Sequence, residues 1–330
     1  MCKTARSDPY DTQTVLQEEI MKYCDLHCDA LTASGAEKQI TRGHLTASGC
    51  FLQCFAAFVS EEKERFSAAL GMADKLDALC EKEGYHLVKS ADELQEGKIN
   101  ALFTVEDGGA IEGDLGKLNT LYGRGMRMMS LTWNFPNELG VPSFPDYKGL
   151  CAGRVPFEKR ETERGLTARG REAVEAMCGL GVLADVSHGS DRLFFEVADI
   201  CKSYGKPFVA SHTAANSVHD CARNLTDEQL RRLGDCGGVA GLYFCADFLS
   251  SDVSAEGQKR AILAHARAML NAGGEDVLCI GSDFDGIPPN PAMKNAGEIP
   301  WLFEEIIKEF GSRVTEKIAY GNFLRVLSER

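Results

Sequence analysis

The chain has 330 residues, of which 44% are hydrophobic and 26% charged, so it contains enough apolar material for a large folded core. Its formal net charge is −13 and no basic block occurs, which excludes nucleic acids and anionic membrane surfaces as expected partners. The sequence contains no signal-peptide core, no run near the roughly 20 apolar residues of a membrane span and no anchor tail, so we expect a cytoplasmic protein.

Short apolar runs rich in β-forming residues alternate with longer amphipathic segments. The predicted strands are 23–31, 51–59, 100–107, 127–134, 181–188, 206–212, 237–244 and 276–286. The predicted helices, with apolar residues three and four positions apart, are 61–84, 167–181, 190–205, 256–274 and 301–311. Ser190 and Gly205 are suited to begin and end the third helix. Segment 137–166, with its prolines, glycines and charges, is predicted to be a long loop.

Strands that alternate with helices favour a parallel sheet. Eight such units predict an α/β fold of the (β/α)8 TIM-barrel type, forming one domain over residues 1–330 with a loop insertion around 137–166. The rival arrangement is a doubly wound open sheet with a dinucleotide site, but no G-x-G-x-x-G follows any predicted strand. In a barrel, functional side chains gather at the C-terminal ends of the strands.

Most of the predicted strands end in side chains that can bind metal or transfer protons. These are His27 and Asp29, Glu106 and Asp107, Asp185 and His188, His212, and Asp283 and Asp285. A single strand-end histidine is commonly a satisfied core residue, and the first pair alone could be a hydrogen-bonded polar strand end. Burying so many ionisable groups together costs several kcal/mol unless metal or mutual pairing compensates. We therefore predict a metal centre.

The ligand types narrow the metal and the reaction. Imidazoles and carboxylates without thiolate fit Zn²⁺, Mn²⁺, Fe²⁺ or Co²⁺. Three histidines and two acids are enough for two ions if one carboxylate bridges them. Two ions about 3.5–4 Å apart can hold a bridging hydroxide and polarise a carbonyl, which predicts hydrolysis.

In order and spacing, the motifs resemble those of the membrane dipeptidase (renal dipeptidase) family of zinc peptidases, which belongs with the amidohydrolase-like barrels. The resemblance covers nearly the whole chain, through DLHCDAL, FTVEDGGAI, SLTWN, GVLADVSHGSD, PFVASHTAANSV, ARNLTDEQL, IGSDFDGI and GNFLRVL. It implies a soluble, bacterial-type metallo-dipeptidase. Such an enzyme hydrolyses dipeptides that have a free C-terminal carboxylate by means of a metal-bridging hydroxide.

The resemblance also implies a set of metal ligands. His27 and Asp29 match the pair that binds the first zinc ion of the family. Glu106 matches the glutamate that bridges both ions, and so has a catalytic role as well. His188 and His212 match the ligands of the second ion. The implied cofactor is therefore two divalent ions, with zinc as the family's metal.

Further residues match positions that act on the substrate. Arg223 matches the arginine that holds the substrate's terminal carboxylate, and Asp283 matches the acid that shuttles the proton of the bridging water. Asp285 matches a second acid to which we assign no role. Trp133 stands where the renal enzymes have a substrate-contacting histidine, and tryptophan can stack and donate one N–H but cannot become a cation. Trp133 and Asn134 are predicted to bind substrate.

Other functions remain open at this point. The same barrel and site would suit an N-acyl amino acid hydrolase, a deaminase or a lactonase. Less closely, they would suit a metal-dependent decarboxylase or a catalytically silent binding protein. The expected partner is a dipeptide or a similar small molecule, with no nucleic acid and no membrane. The family often forms dimers, which makes a homodimer a state to test.

Overall fold

Nine parallel strands occur in the computed structural model, which describes residues 20–33, 37–60 and 63–330. The strands are β1 (Tyr23–Asp25), β2 (Cys50–Phe58), β3 (His86–Val88), β4 (Asn100–Glu106), β5 (Met126–Ser130), β6 (Leu183–Asp185), β7 (Val209–Thr213), β8 (Val239–Leu242) and β9 (Leu278–Ile280). Eight of them form a ring in the order β2-β1-β9-β8-β7-β6-β5-β4, and β4 pairs with β2 to close it. The predicted (β/α)8 barrel is therefore confirmed.

Helices surround the barrel and cover its ends. They are α1 (Arg42–Ala47), α2 (Arg65–Glu83), α3 (Leu115–Gly123), α4 (Tyr147–Cys151), α5 (Ala168–Leu180), α6 (Asp191–Tyr204), α7 (Asp227–Asp235), α8 (Ala246–Leu249), α9 (Ala255–Gly273), α10 (Ile299–Glu316) and α11 (Asn322–Glu329). Helix α10 is kinked at Gly311, and a π-helical turn, Lys317–Gly321, joins it to α11. Within the described ranges, no helix is both long and apolar enough to cross a membrane.

All eight predicted strands and all five predicted helices are present, with shifted ends. Residues 61–62 of the predicted helix 61–84 lie outside the described residues. The first and last predicted strands are longer than β1 and β9. Beyond the ends of β1 and β9, a side-chain carboxylate accepts hydrogen bonds from backbone amides in place of a strand carbonyl. The carboxylate of Asp25 accepts from the amides of His27, at 3.3 Å, and Ser282, at 2.8 Å.

The sequence did not predict β3 or six of the helices. Strand β3 has three residues and pairs only with the first part of β4, before β5 takes that position. The missed helices are α1, α3, α4, α7, α8 and α11, none longer than nine residues. Helix α4 lies inside segment 137–166, so that segment is not entirely loop. Ser190 and Gly205 bound α6 as predicted, since the Ser190 hydroxyl accepts from the Leu193 amide and Gly205 has a φ of +61°.

The barrel is filled by side chains and closed at one end. One buried core cluster contains an apolar residue from every barrel strand: Cys24, Leu52, Leu102, Met128, Leu183, Val209, Val239 and Cys279. Phe323, Val326 and Leu327 of α11 pack against the same cluster. The Asn322 side chain donates to the carbonyls of Glu275 and Leu278, at the start of β9. Helix α11 therefore covers the N-terminal end of the barrel, and the C-terminal end is left for a site.

Candidate metal centre

The side chains predicted to bind metal converge at the C-terminal end of the barrel. Nε2 of His27 lies 3.4 Å from Oδ2 of Asp29 and 3.5 Å from Oε2 of Glu106. The other carboxylate oxygen of Glu106 lies 3.1 Å from Nε2 of His188 and 3.5 Å from Nε2 of His212. All five side chains are buried. Glu106 therefore joins two groups of ligand atoms, one at each of its oxygens.

His27 and Asp29 lie beyond the end of β1, on backbone that remains extended. The Asp29 amide donates to the carbonyl of Phe284 at 2.9 Å, and the Ala56 amide donates to the carbonyl of Cys28 at 2.9 Å. Successive side chains on extended backbone point to opposite sides, so residues two apart share a side. His27 and Asp29 therefore face the same group of ligand atoms, while Cys28 between them is fully buried in the core.

Neighbouring side chains determine which nitrogen of two histidines carries the proton. Nδ1 of His188 lies 2.9 Å from Oδ1 of Asn134, which can only accept, so Nδ1 is the donor. Nδ1 of His212 lies 2.8 Å from Oγ of Ser211, whose own hydroxyl donates to Asp185 at 2.5 Å. Nδ1 of His212 is therefore also a donor. Both rings are left with an unprotonated Nε2, which is the metal-binding form of histidine.

Acceptor atoms without donors meet at this point. The two unprotonated Nε2 atoms of His188 and His212 lie 2.9 Å apart and face Glu106. Within the described part of the chain, Nε2 of His27 and Oδ1 of Asp29 are buried with no hydrogen-bond partner. Lone pairs that face one another repel, and buried polar atoms without hydrogen-bond partners cost free energy. A cation among them removes both penalties, so this imidazole and carboxylate set fits a divalent transition metal.

Burial shifts the proton affinities of the same groups. It is the main reason that the pKa of Glu106 and the pKa of Asp283 are raised, and the nearby carboxylate of Asp29 raises both further. Burial is also the main reason that the pKa values of His188 and His212 fall well below the usual range. Burial thus favours neutral imidazoles at His188 and His212. At His27 burial also lowers the pKa, but the carboxylates of Glu106 and Asp29 outweigh it, so that the pKa is raised well above its usual range. The site as a whole disfavours uncompensated negative charge. A divalent cation offsets that charge.

Two residues at the site have backbone conformations that side chains rarely adopt. His188 has a φ of +67° and Asp283 a φ of +63°. Such conformations cost about 1–3 kcal/mol and persist where surrounding contacts impose them. Here the Ser143 amide donates to the carbonyl of His188 at 2.7 Å, and the Asp283 amide donates to the carbonyl of His27 at 3.2 Å. Segment 137–166 therefore helps to hold a predicted metal ligand in place.

Asp285, to which the sequence assigned no role, binds the backbone of the loop that contains Gln39 and Ile40. Its carboxylate accepts from the amides of Gln39, at 2.7 Å, and Ile40, at 3.3 Å. Gly286 follows it because a Cβ there would collide with the carboxylate of Asp29. The two acids of the DFDG motif thus point to different places, one into the ligand cluster and one into the loop.

Arg223 lies beside the cluster with an incomplete set of partners. It is buried, its Nη2 donates to the carbonyl of His212 at 3.3 Å, and its Nε has no partner among the described residues. Its guanidinium lies 5.9 Å from the ring centre of Tyr243, whose hydroxyl donates to Asn224 at 2.6 Å. Sequence reasoning missed Tyr243, and its only signal was an aromatic residue at the end of the aliphatic run of β8.

Trp133 and Asn134 lie beside His188. The Trp133 ring is half-buried, with its centre 6.1 Å from that of His188 and 4.9 Å from that of Phe58. Asn134 contacts His188 as described above, which is a positioning contact that the sequence did not predict. Binding of substrate by these two residues stays a prediction.

Ser211, which sequence reasoning also missed, connects Asp185 to His212. We expect Ser211→Ala to weaken metal binding by about 10–100-fold, the usual effect of losing a contact that orients a ligand. Titration against a competing chelator measures this. Ser203→Ala, at an exposed serine of α6, is the matched control and should bind metal as the wild type does. Equal affinity in both variants would show that the hydrogen bond to His212 does not orient the ring.

Comparison with known proteins identifies similar chains. The family model described as membrane dipeptidase (peptidase family M19) matches residues 10–330. A Klebsiella pneumoniae protein, described as an uncharacterized protein in the pqqA 5′ region, is 30% identical over 240 residues, covering 72% of this chain and 84% of that protein. An uncharacterized dipeptidase of Schizosaccharomyces pombe is 30% identical over 213 residues, or 64% of this chain. The chain spans about half the length of that relative, since the match covers 48% of it.

The fold is also found among solved structures. A metallopeptidase of Rhodobacter sphaeroides, crystallised with a phosphinate mimic of the dipeptide L-Ala-D-Ala, superposes with a TM-score of 0.81. The sequences are 22% identical, and the match covers 94% of this chain and 99% of that one. At this identity the likeness establishes a shared fold.

Proposed function

This chain belongs to the membrane dipeptidase family, whose members are metallo-dipeptidases, and from that membership we propose that it is a binuclear metal-dependent dipeptidase. The family and the class of enzyme, a hydrolase acting on peptide bonds, are the ones that the sequence predicted. The number of ions, their identity as zinc and the role of each side chain are parts of the proposal.

The observation that carries the proposal is the buried cluster of imidazole nitrogens and carboxylate oxygens around Glu106, in which His188 and His212 present unprotonated Nε2 atoms. Among the described residues, Nε2 of His27 and Oδ1 of Asp29 in this cluster have no hydrogen-bond partner. We propose that Glu106 binds two ions, with His27 and Asp29 on one and His188 and His212 on the other. Zinc suits this combination of histidine and carboxylate ligands. Two divalent ions, when bound, lower the pKa of a water and polarise the peptide carbonyl.

Asp283 is the proposed general acid and base. Its Oδ1 lies 3.8 Å from Nε2 of His27, so it adjoins the ligand cluster without belonging to its centre. In hydrolysis it accepts the proton of the attacking water and passes it to the leaving amine. Backbone contacts hold it there in a left-handed conformation.

Arg223 is the proposed anchor for the substrate's C-terminal carboxylate. A buried guanidinium with an unused donor can make a forked pair of charge-assisted hydrogen bonds to a carboxylate. Such an anchor close to the ligand cluster limits the substrate to one residue beyond the scissile bond. The dipeptide mimic bound by the Rhodobacter sphaeroides metallopeptidase supports a dipeptide as the substrate class.

Metal removal and replacement test the proposal. The protein is treated with a chelator, dialysed and reconstituted with Zn²⁺ or Mn²⁺, while metal content and kcat/KM for unblocked dipeptides are followed together. We expect cleavage to be absent in the metal-free protein and to return as two equivalents bind. Full cleavage by the metal-free protein would refute the proposal.

A wider panel separates the rival hydrolases. It contains C-terminal amides of the same dipeptides, N-acyl amino acids, a lactone, an amino-substituted heterocycle and a carboxylic acid that can lose carbon dioxide. If Arg223 binds the terminal carboxylate, each dipeptide amide should lose about 10²-fold in kcat/KM, the usual effect of removing one partner of a buried charged pair. Faster turnover of another class of substrate than of the dipeptides would assign the enzyme to the corresponding class of reaction.

Location and assembly are also part of the proposal. We propose a cytoplasmic protein that acts on small molecules, and the described helices include no candidate membrane span. A homodimer stays a prediction, which sedimentation of the metal-loaded protein would test.

A further inference from the structure

Four half-buried aromatic side chains form a continuous surface beside the ligand cluster. This aromatic wall consists of Phe58, Trp133, Phe135 and Tyr147. The Trp133 ring centre lies 4.9 Å from that of Phe58, 5.8 Å from that of Phe135 and 5.4 Å from that of Tyr147. Phe135 and Tyr147 are 5.5 Å apart with their rings nearly perpendicular. Each ring contacts another in a preferred aromatic geometry, so the wall has a defined shape.

The wall adjoins the proposed reaction centre. Phe58 pairs with Glu106 in the ladder between β2 and β4, and paired residues on neighbouring strands point the same way. Trp133 follows β5, and its ring centre lies 6.1 Å from that of His188. Asn134, the next residue, contacts the same histidine. One edge of the wall therefore reaches both the bridging position and a ligand of the second group.

Arg223 lies across the barrel mouth from Phe58. Its Nη2 donates to the carbonyl of His212 on β7 at 3.3 Å, and β7 is four strands from β2 in either direction around the ring. A dipeptide with its carboxylate on Arg223 and its peptide carbonyl at the ligand cluster must extend its N-terminal residue away from that arginine. We infer that the side chain of this N-terminal residue packs on the aromatic wall, and that the enzyme prefers dipeptides whose first residue is aromatic or large and apolar.

The surroundings of the wall favour apolar over charged side chains. A recess of about 130 Å³ continues the wall beyond Asn134, and Phe135, Phe144 and Tyr147 are among its lining residues. The charged residues in its lining, Asp146 and Lys148, are exposed. Nζ of Lys148 lies 5.9 Å from the ring centre of Phe135, and the Lys148 side chain is exposed. A charged substrate side chain would lose hydration against the rings, whereas an aromatic one gains contact area and ring packing.

The inference rests on the proposed function, and a substrate panel separates the two. The zinc-loaded protein is assayed with Phe-Ala, Leu-Ala, Ala-Ala, Asp-Ala and Lys-Ala. We expect kcat/KM for Phe-Ala to exceed that for Ala-Ala by about tenfold or more, with the charged dipeptides slowest. Cleavage of all five at similar rates, or fastest cleavage of a charged one, would overturn the inference and leave the dipeptidase proposal standing. No cleavage of any would refute both.

A variant tests whether the aromatic wall causes the expected preference for Phe-Ala over Ala-Ala. Phe135→Ala should lower the ratio of kcat/KM for Phe-Ala over Ala-Ala at least fivefold, whatever its effect on both substrates together. Phe310→Ala, at a half-buried phenylalanine of α10 on the outside of the barrel, is the matched control and should leave the ratio unchanged. An unchanged ratio in Phe135→Ala, or an equal fall in both variants, would overturn the inference.

Fluorescence gives a readout that does not depend on turnover. The chain has two tryptophans, Trp133 and Trp301, so Trp301→Phe leaves the wall as the only source of tryptophan emission. A phosphinate analogue of Phe-Ala should change that emission at saturation and should bind more tightly than the Ala-Ala analogue. Binding of both analogues with no change in Trp133 emission would place the first side chain elsewhere and overturn the inference.

Discussion

Glu106→Gln is expected to remove most of the bound metal and most of the activity while leaving the fold intact. Glutamine has nearly the same shape as glutamate, but it removes the negative charge between the two ligand groups. The two carboxylate oxygens of Glu106 lie 3.1 Å from Nε2 of His188 and 3.5 Å from Nε2 of His27. Glutamine replaces one of these oxygens by an amide nitrogen. The neutral side chain should satisfy one of these imidazoles as a donor and no longer attract a cation.

The expected loss is large. Metal content should fall below one equivalent. Because metal assistance is worth several kcal/mol of transition-state stabilisation, kcat/KM should fall by about 10³-fold or more. Metal analysis and dipeptide hydrolysis measure the two effects on the same sample. The metal-free variant should unfold at no lower temperature than metal-free wild type, because it no longer buries that charge.

A matched control checks that the loss is specific. Glu175→Gln changes an exposed glutamate on α5 and should retain wild-type metal content and rate. Two bound equivalents and wild-type turnover in Glu106→Gln would remove Glu106 from the proposed centre.

Asp283→Asn is expected to slow turnover while metal remains bound. General acid and base catalysis by a positioned side chain is worth about 10²–10⁴-fold, so kcat should fall by that amount with little change in KM. Asparagine is the suitable replacement because it tolerates the left-handed backbone of Asp283, with its φ of +63°. Metal analysis and full kinetics separate loss of chemistry from loss of the ions.

Asp285→Asn is the matched control, two residues further on and also in a left-handed conformation, with a φ of +67°. Its carboxylate holds the Gln39 and Ile40 amides, so we expect reduced thermal stability and a much smaller change in kcat. If Asp283→Asn kept wild-type kcat with both ions bound, another group would have to move the proton.

Sequence alone predicted the elements and the chemistry where the signal is local. An apolar run such as 51–59, short and rich in β-forming residues, predicts a buried strand from its own residues. The cap and stop of α6, Ser190 and Gly205, are likewise set by neighbouring residues. Short helices gave no comparable signal. Helix α7 contains two buried leucines, Leu230 and Leu233, which is too few to show a period even though Thr226 caps it.

The types of residue at the strand ends were likewise enough to predict a metal centre at one end of a barrel. Histidines and carboxylates can be read from the chain, and the parallel arrangement brings strand ends to one side. The sequence did not show which atoms of these side chains contact one another. The two acids of DFDG look equivalent in sequence, yet Asp283 adjoins the ligand cluster and Asp285 binds loop amides.

Tertiary structure decided what depends on closure of the ring. The aromatic wall joins Phe58, at the end of β2, to Trp133, Phe135 and Tyr147, which follow β5, and the two parts meet because β2, β4 and β5 are neighbours. The proton positions on His188 and His212 likewise depend on Asn134 and on Ser211 with Asp185. The sequence therefore determined which chemical groups are available, because residue type and local pattern carry that information. Strand register and barrel closure decided which of those groups face one another.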